Sequence, residues 1–226
     1  MINEVDILEI EKLFTDMQPD ALGNKPVRDG IVNLKTYISA PYRVLWILKE
    51  PNDEKDEGGW DLREFLSNGN FKGYRQWKRT FSLPLRVSYG MLNGFTEWES
   101  LPKVDKIENR VLESIAYINL KKIPGGARAN GSMIADAYKK SKHLILEQIR
   151  VFKPHVIICC GFNMYLLNAD LGITDENIKK DIEHAHYTKH DSIVFIDTYH
   201  PAQISIKHQV HYEAVIAACK KGFNLA

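Results

Sequence analysis

The sequence predicts an α/β fold, a single domain over residues 1–226 with a doubly wound, mostly parallel four-stranded sheet flanked by helices. Three observations carry this. Four short apolar runs recur along the chain: Arg43 to Leu48, Ile115 to Leu120, Val156 to Cys160 and Ile193 to Thr198. They are continuous rather than alternating, the pattern of strands covered on both faces. Helical patterns separate them, and strands alternating with helices give parallel, doubly wound sheets.

The elements follow in order. Residues 3–17 place Val5, Leu8, Leu13, Phe14 and Met17 at helical spacing, which predicts an amphipathic first helix. The first strand ends in Lys49-Glu50-Pro51-Asn52. Residues 61–67 and 105–114 read as helices between the first and second strands. Residues 132–152 form the clearest amphipathic helix, entered from the glycine-rich stretch 125–131 and stopped before Pro154. A short helix follows Gly161, and residues 208–222 form the last one. The stretch 182–190 (IEHAHYTKH) is a candidate for an extra antiparallel strand. Residues 70–104 carry aromatics and two prolines without a sustained period, and no element is assigned there.

A chain of 226 residues buries a sizeable core, and no repeat, low-complexity tract or Gly/Ser linker divides it. No apolar run approaches the roughly 20 residues that span a bilayer. The start, MINEVDILEIEKLF, is acidic and amphipathic, unlike a signal or transit peptide. A cytoplasmic location is expected. Cys159 and Cys160 sit inside the run VIICCG and read, with Cys219, as small core residues. Three cysteines do not supply the four thiolates of a usual iron–sulfur cluster. The formal net charge of +1 argues against coating nucleic acid non-specifically but permits a local basic groove. Residues 72–79 (KGYRQWKR) and 121–128 (KKIPGGAR) are two such patches.

Open α/β sheets bind ligands beyond the carboxyl ends of their strands. There the chain places Glu50, Asn119 and His200, a carboxylate, a carboxamide and an imidazole after three different strands. Each alone has an ordinary explanation as a turn or loop residue. Their convergence on one edge is what a site requires.

The stretches VLWILKEPN (44–52), IAYINLKKIP (115–124), KPHVIICCG (153–161) and VFIDTYHPAQ (194–203) come in this order at these strand ends. In that order they resemble the motifs of the uracil-DNA glycosylase superfamily, over most of the chain. Leu48 stands where that family usually has Gly, Asn52 where it has Tyr or Gly, and Ala202-Gln203 where it has Ser-Pro. The resemblance implies base excision from DNA without a cofactor or metal, by a monomer that flips the base. Glu50 then acts toward the sugar and the attacking water, and His200 donates to the departing base. Asn119 reads the base, helped by Asn52, with Trp60 as the stacking ring and Phe71 in reserve. The loop after the histidine supplies Gln203, Ile204 and Lys207 to DNA, with Ile204 or Ile206 the wedge, and Lys121 and Arg128 meet the backbone. Uracil and hypoxanthine are the leading bases. Two alternatives stand beside this: a DNA- or nucleotide-binding module with an altered pocket, and an unrelated small-molecule hydrolase using Glu50 and His200.

Overall fold

A computed structural model describes residues 2–53, 57–69, 75–125, 130–161 and 163–225, with backbone alone for Arg75 and Gln76. Its centre is a six-stranded sheet in the order β1-β3-β2-β4-β6-β5. The strands are β1 (Gly30–Ile31), β2 (Val44–Leu48), β3 (Ile115–Asn119), β4 (Val156–Cys160), β5 (Ala185–His190) and β6 (Ile193–Thr198). The four apolar runs are the four inner strands, and all their mutual pairings are parallel. The expected strand count of four is corrected to six. Two antiparallel edge strands complete the sheet: β1 beside β3, and β5 beside β6. The β5 edge falls in the stretch singled out above. The two-residue β1 is too short to leave a periodic signal.

The runs are unbroken because each strand is sandwiched. Val44, Trp46 and Leu48 face one core with Ile115, Tyr117, Val156, Ile158 and Ile196. Leu45 and Ile47 face the other with Ala116, Ile118, Ile157 and Phe195. Side chains of successive residues point to opposite faces, so helices must cover both. On the first face lie α3 (Leu62–Ser67), α4 (Arg75–Leu92), α5 (Arg110–Glu113) and α8 (His208–Gly222). On the second lie α1 (Glu4–Asp16), α2 (Leu34–Ser39), α6 (Gly131–Phe152) and α7 (Asn163–Asn168). Cys159 and Cys160 point to opposite faces, and both are buried free thiols, as is Cys219.

The predicted helices at 61–67, 132–152 and 208–222 recur within a residue. The expected helix 105–114 shrinks to a short 3-10 turn, Val104–Lys106, and the single turn of α5. The unassigned region contains α4, 18 residues long with Pro84 inside it. A proline within a helix removes one backbone donor and normally reads as a break, which is why the period was obscured. Asn3 and Asn130 accept from backbone N–H groups as side-chain caps of α1 and α6. The chain leaves β2 for β3 on one side and returns to β4 on the other. That reversal is the switch point at which doubly wound sheets form their crevice. No helix among the described residues is long and apolar enough to cross a membrane.

Candidate active site

A pocket of about 500 Å3 opens at the carboxyl ends of these strands. Glu50, Asn119 and His200 all line it, joined by Asn52. Leu48, in the position where a small residue was expected, forms part of the wall and leaves the space open.

Glu50 lies two residues beyond β2, and its carboxylate is clamped. Lys121 Nζ donates to Glu50 Oε2 at 2.6 Å and to the Pro124 carbonyl at 2.9 Å. Both side chains are nearly buried, at 13% and 9% exposed. A charge-assisted bond in such surroundings fixes the orientation of the carboxylate. The chain at Gly125 presses on the same group. Its N–H donates to Pro51 O at 3.0 Å, and a Cβ there would stand 2.0 Å from Glu50 Oε2. Any side chain at 125 therefore displaces the carboxylate.

Asn119 ends β3. Its backbone N–H donates to Asp29 Oδ2 at 2.8 Å, while its carboxamide lines the pocket with no hydrogen bond among the described residues. Behind it is a wholly buried ion pair. Lys122 Nζ donates to Asp29 Oδ1 and Oδ2 at 2.7 and 2.9 Å and to Gln148 Oε1 at 2.9 Å. Gln148 Nε2 returns a bond to Asp29 Oδ1 at 3.0 Å.

His200 Nδ1 accepts the Ala202 N–H at 3.2 Å. A neutral ring with Nδ1 as acceptor carries its proton on Nε2. Burial, reinforced by the Lys49 charge, pushes this imidazole down to about 4. At neutral pH it is an uncharged donor.

The remaining wall is aromatic. Trp77 and Phe81, one turn apart on α4, stack with centroids 5.5 Å apart and an interplanar angle of 2°, and Phe81 contacts Tyr117 at 5.2 Å. All three line the pocket. Trp60 does not, which corrects its expected place as the stacking ring. A turn through Gly58 and Gly59, both at positive φ, carries it aside. Its Nε1 donates to Asp53 Oδ2 at 2.9 Å and its ring braces Trp77 edge-on at 5.8 Å. Phe71 and Arg128 lie outside the described residues.

Two expected DNA contacts are turned inward instead. Lys121 is committed to Glu50. Gln203 donates from Nε2 to Ile206 O at 3.0 Å and accepts the Ile206 N–H at 2.8 Å, closing its own loop. That loop raises Ile204 to a tip that is 82% exposed, and Lys207 is exposed beside it. His211 secures it from α8. The Thr198 hydroxyl donates to His184 O at 2.8 Å and so accepts from His211 Nε2 at 2.9 Å, leaving Nδ1 to face Gln203 Nε2 at 3.4 Å.

Among residues not anticipated, Tyr117 had a usable signal: it stands two positions before Asn119 and shares its strand face. Trp77 and Phe81 had their four-residue spacing. Asp29 and Lys122, 93 positions apart, had none.

The two buried imidazoles make stability depend on pH. His211, like His200, is pushed down to about 4, chiefly by burial, then by His208, His184 and His200. Unfolded, each binds its proton near 6.5. Protonation between 6.5 and 4 therefore favours the unfolded chain, so their contribution is complete above the upper value and lost toward the lower. Asp197, raised to about 6 by burial, works the opposite way as a single group. The melting temperature is expected to fall between pH 7 and pH 4.5, and His211→Gln to flatten that fall; scanning calorimetry across the range checks both.

Among the described residues, no three His, Cys, Asp or Glu side chains are grouped to hold a metal ion. No protein-family model matches the chain, and no curated protein matches it.

Proposed function

We propose that the protein is a DNA glycosylase of base-excision repair, hydrolysing the N-glycosidic bond of a deaminated or damaged base, with uracil and hypoxanthine foremost. The observation that carries this reading is the meeting of Glu50, Asn119 and His200 in one pocket of about 500 Å3, within the size range of small-molecule sites.

The arrangement suits the reaction. Glycosidic cleavage passes through a cationic, oxocarbenium-like sugar. The Glu50 carboxylate, aimed by Lys121 and Gly125, stabilises that charge and orients the attacking water. Negative charge develops on the leaving base, and a fixed donor aimed at its oxygen lowers the barrier. Neutral His200, with its proton on Nε2, is that donor. The Asn119 carboxamide offers one donor and one acceptor to the pairing edge. Trp77 supplies a ring face for stacking. Exposed Ile204 is the apolar wedge that fills the gap left in the duplex, and Lys207 the phosphate contact.

A panel of oligonucleotides, each with one altered base, tests the reading. The expected result is an alkali-labile abasic site at the position of the altered base in one or more of them. DNA binding without any abasic product would point to a binding module of the same fold. If DNA changed neither melting temperature nor any measured activity, a small-molecule hydrolase would replace both.

A further inference from the structure

A second cleft, of about 310 Å3, adjoins the pocket. Arg79, Ala202 and Gln203 line both spaces, so the two meet at these side chains. One wall of the cleft is α4, which contributes Arg79. The other is the loop after His200, with Ser205, Lys207 and, at the start of α8, His208. Among the described residues, its lining holds three basic side chains and no acidic one.

The loop wall is set in advance. Gln203 bonds both backbone groups of Ile206, and the Ala202 and Gln203 N–H groups both donate to His200. Positive charge gathers around the space between the walls. Burial first, then the charges of Arg86 and Arg79, hold the His208 imidazole below its ordinary value. Arg86 stands two turns after Arg79 on α4, hence on the same helix face, and packs over the Trp98 ring at 4.6 Å. Carboxylates hold Arg28, Arg63 and Arg150, whereas Arg79 and Lys207 are paired with none among the described residues. A concave surface lined by one sign of charge focuses its field and draws an ion of the other sign.

The neighbouring pocket identifies that ion. A base in the pocket keeps its sugar at the mouth, and the phosphates on that sugar then lie beside the pocket, where the cleft is. An Arg fork fits two phosphate oxygens, and a Lys adds a point charge. We propose that the cleft is a phosphate site in which Arg79 and Lys207 bracket the phosphate next to the nucleotide whose base enters the pocket. Lys207 thereby gains a partner from α4, and Arg79, common to both spaces, sets the register of the phosphate against the base. The inference rests on the pocket being a base pocket. The phosphate belongs either to a DNA strand or to a free nucleotide.

Binding, rather than excision, tests it. The probe is an oligonucleotide with one hydrolysis-proof abasic analogue, made also with single neutral methylphosphonate linkages near that position. Fluorescence anisotropy measures its affinity for the wild type, Arg79→Gln and, as a charge control at the opposite edge of the sheet, Arg150→Gln. Arg79→Gln should weaken binding roughly tenfold and lower the salt slope by about one, with its melting temperature retained; Arg150→Gln should do neither. The Arg79→Gln loss should vanish when a linkage flanking the analogue is the neutral one, as two changes to one contact are not additive. A loss that persists whichever linkage is neutral, or no loss at all, overturns the proposal. Absence of any abasic product in the excision panel would end the glycosylase reading and leave this result standing. If the oligonucleotide does not bind, the probes are the 3′- and 5′-monophosphates of deoxyuridine and deoxyinosine beside the parent nucleosides. A monophosphate bound roughly tenfold more tightly than its nucleoside, with the advantage lost in Arg79→Gln, assigns the site to a free nucleotide. No such advantage, or one indifferent to the substitution, overturns the proposal.

Discussion

Glu50→Gln should lower the single-turnover rate of base excision by roughly 100-fold to 10,000-fold, the range for a group that orients or deprotonates a nucleophile. The substitution keeps the shape of the side chain and its contact with Gly125 but removes the charge facing the sugar. Lys121 Nζ retains an acceptor at Pro124 O, 2.9 Å away, so the pocket should keep its form. His200→Ala removes the Nε2 donor and should cost about 100-fold to 1,000-fold, the usual effect of deleting one fixed donor to a developing anion. The double variant should lose less than the product of the two, because groups acting on one transition state are not additive. Excision under enzyme excess measures the rate, and circular dichroism melting separates chemistry from folding. Rapid excision by both single variants would remove these residues from their roles.

The second large effect concerns stability. Asp29 and Lys122 are both 0% exposed at the side chain. Lys122→Met leaves the carboxylate buried with neutral donors only, from Gln148 and the Asn119 backbone. Breaking one side of such a pair costs about 3–5 kcal/mol, a fall in melting temperature on the order of 10 °C for a chain of this size. Replacing both partners, as in Asp29→Leu with Lys122→Met, should recover much of the loss, because no charge is then stranded. Urea denaturation of the two singles and the double yields the coupling. A Lys122→Met protein within about 1 kcal/mol of wild type would contradict the buried geometry. The Asp29 carboxylate also holds the end of β3, so surviving Lys122→Met protein should bind its ligand more weakly through Asn119.

The two predictions draw on features of unequal legibility. Glu50, Asn119 and His200 were readable because each follows a continuous apolar run, and such runs mark where buried strands stop. The edge at which they gather then follows from a general property of open parallel sheets. Trp60 was misplaced for a physical reason: it stands ten positions after Glu50, and spacing along the chain outside a regular element carries no direction. Lys121 and Gln203 were misread in a similar way. Polar side chains near a site were expected to face outward, whereas Lys121 donates to a nearly buried carboxylate and Gln203 satisfies backbone groups of its own loop. The long α4 escaped because Pro84 looks like a boundary when only local preference is considered. Packing of Phe81, Leu85 and Val87 against the sheet face sustains the helix through it.

What the sequence determined by itself was periodic and local: four inner strands, most of the covering helices, the burial of the three thiols, and which residues stand at the strand ends. What the tertiary structure alone decided was pairing at long range. It set the clamp of Lys121 on Glu50, the Asp29–Lys122–Gln148 group behind Asn119 and the aromatic wall that includes Tyr117. The reason is that burial leaves a repeating trace in the chain, whereas a hydrogen bond between residues 93 positions apart depends on how the sheet brings them together and leaves none.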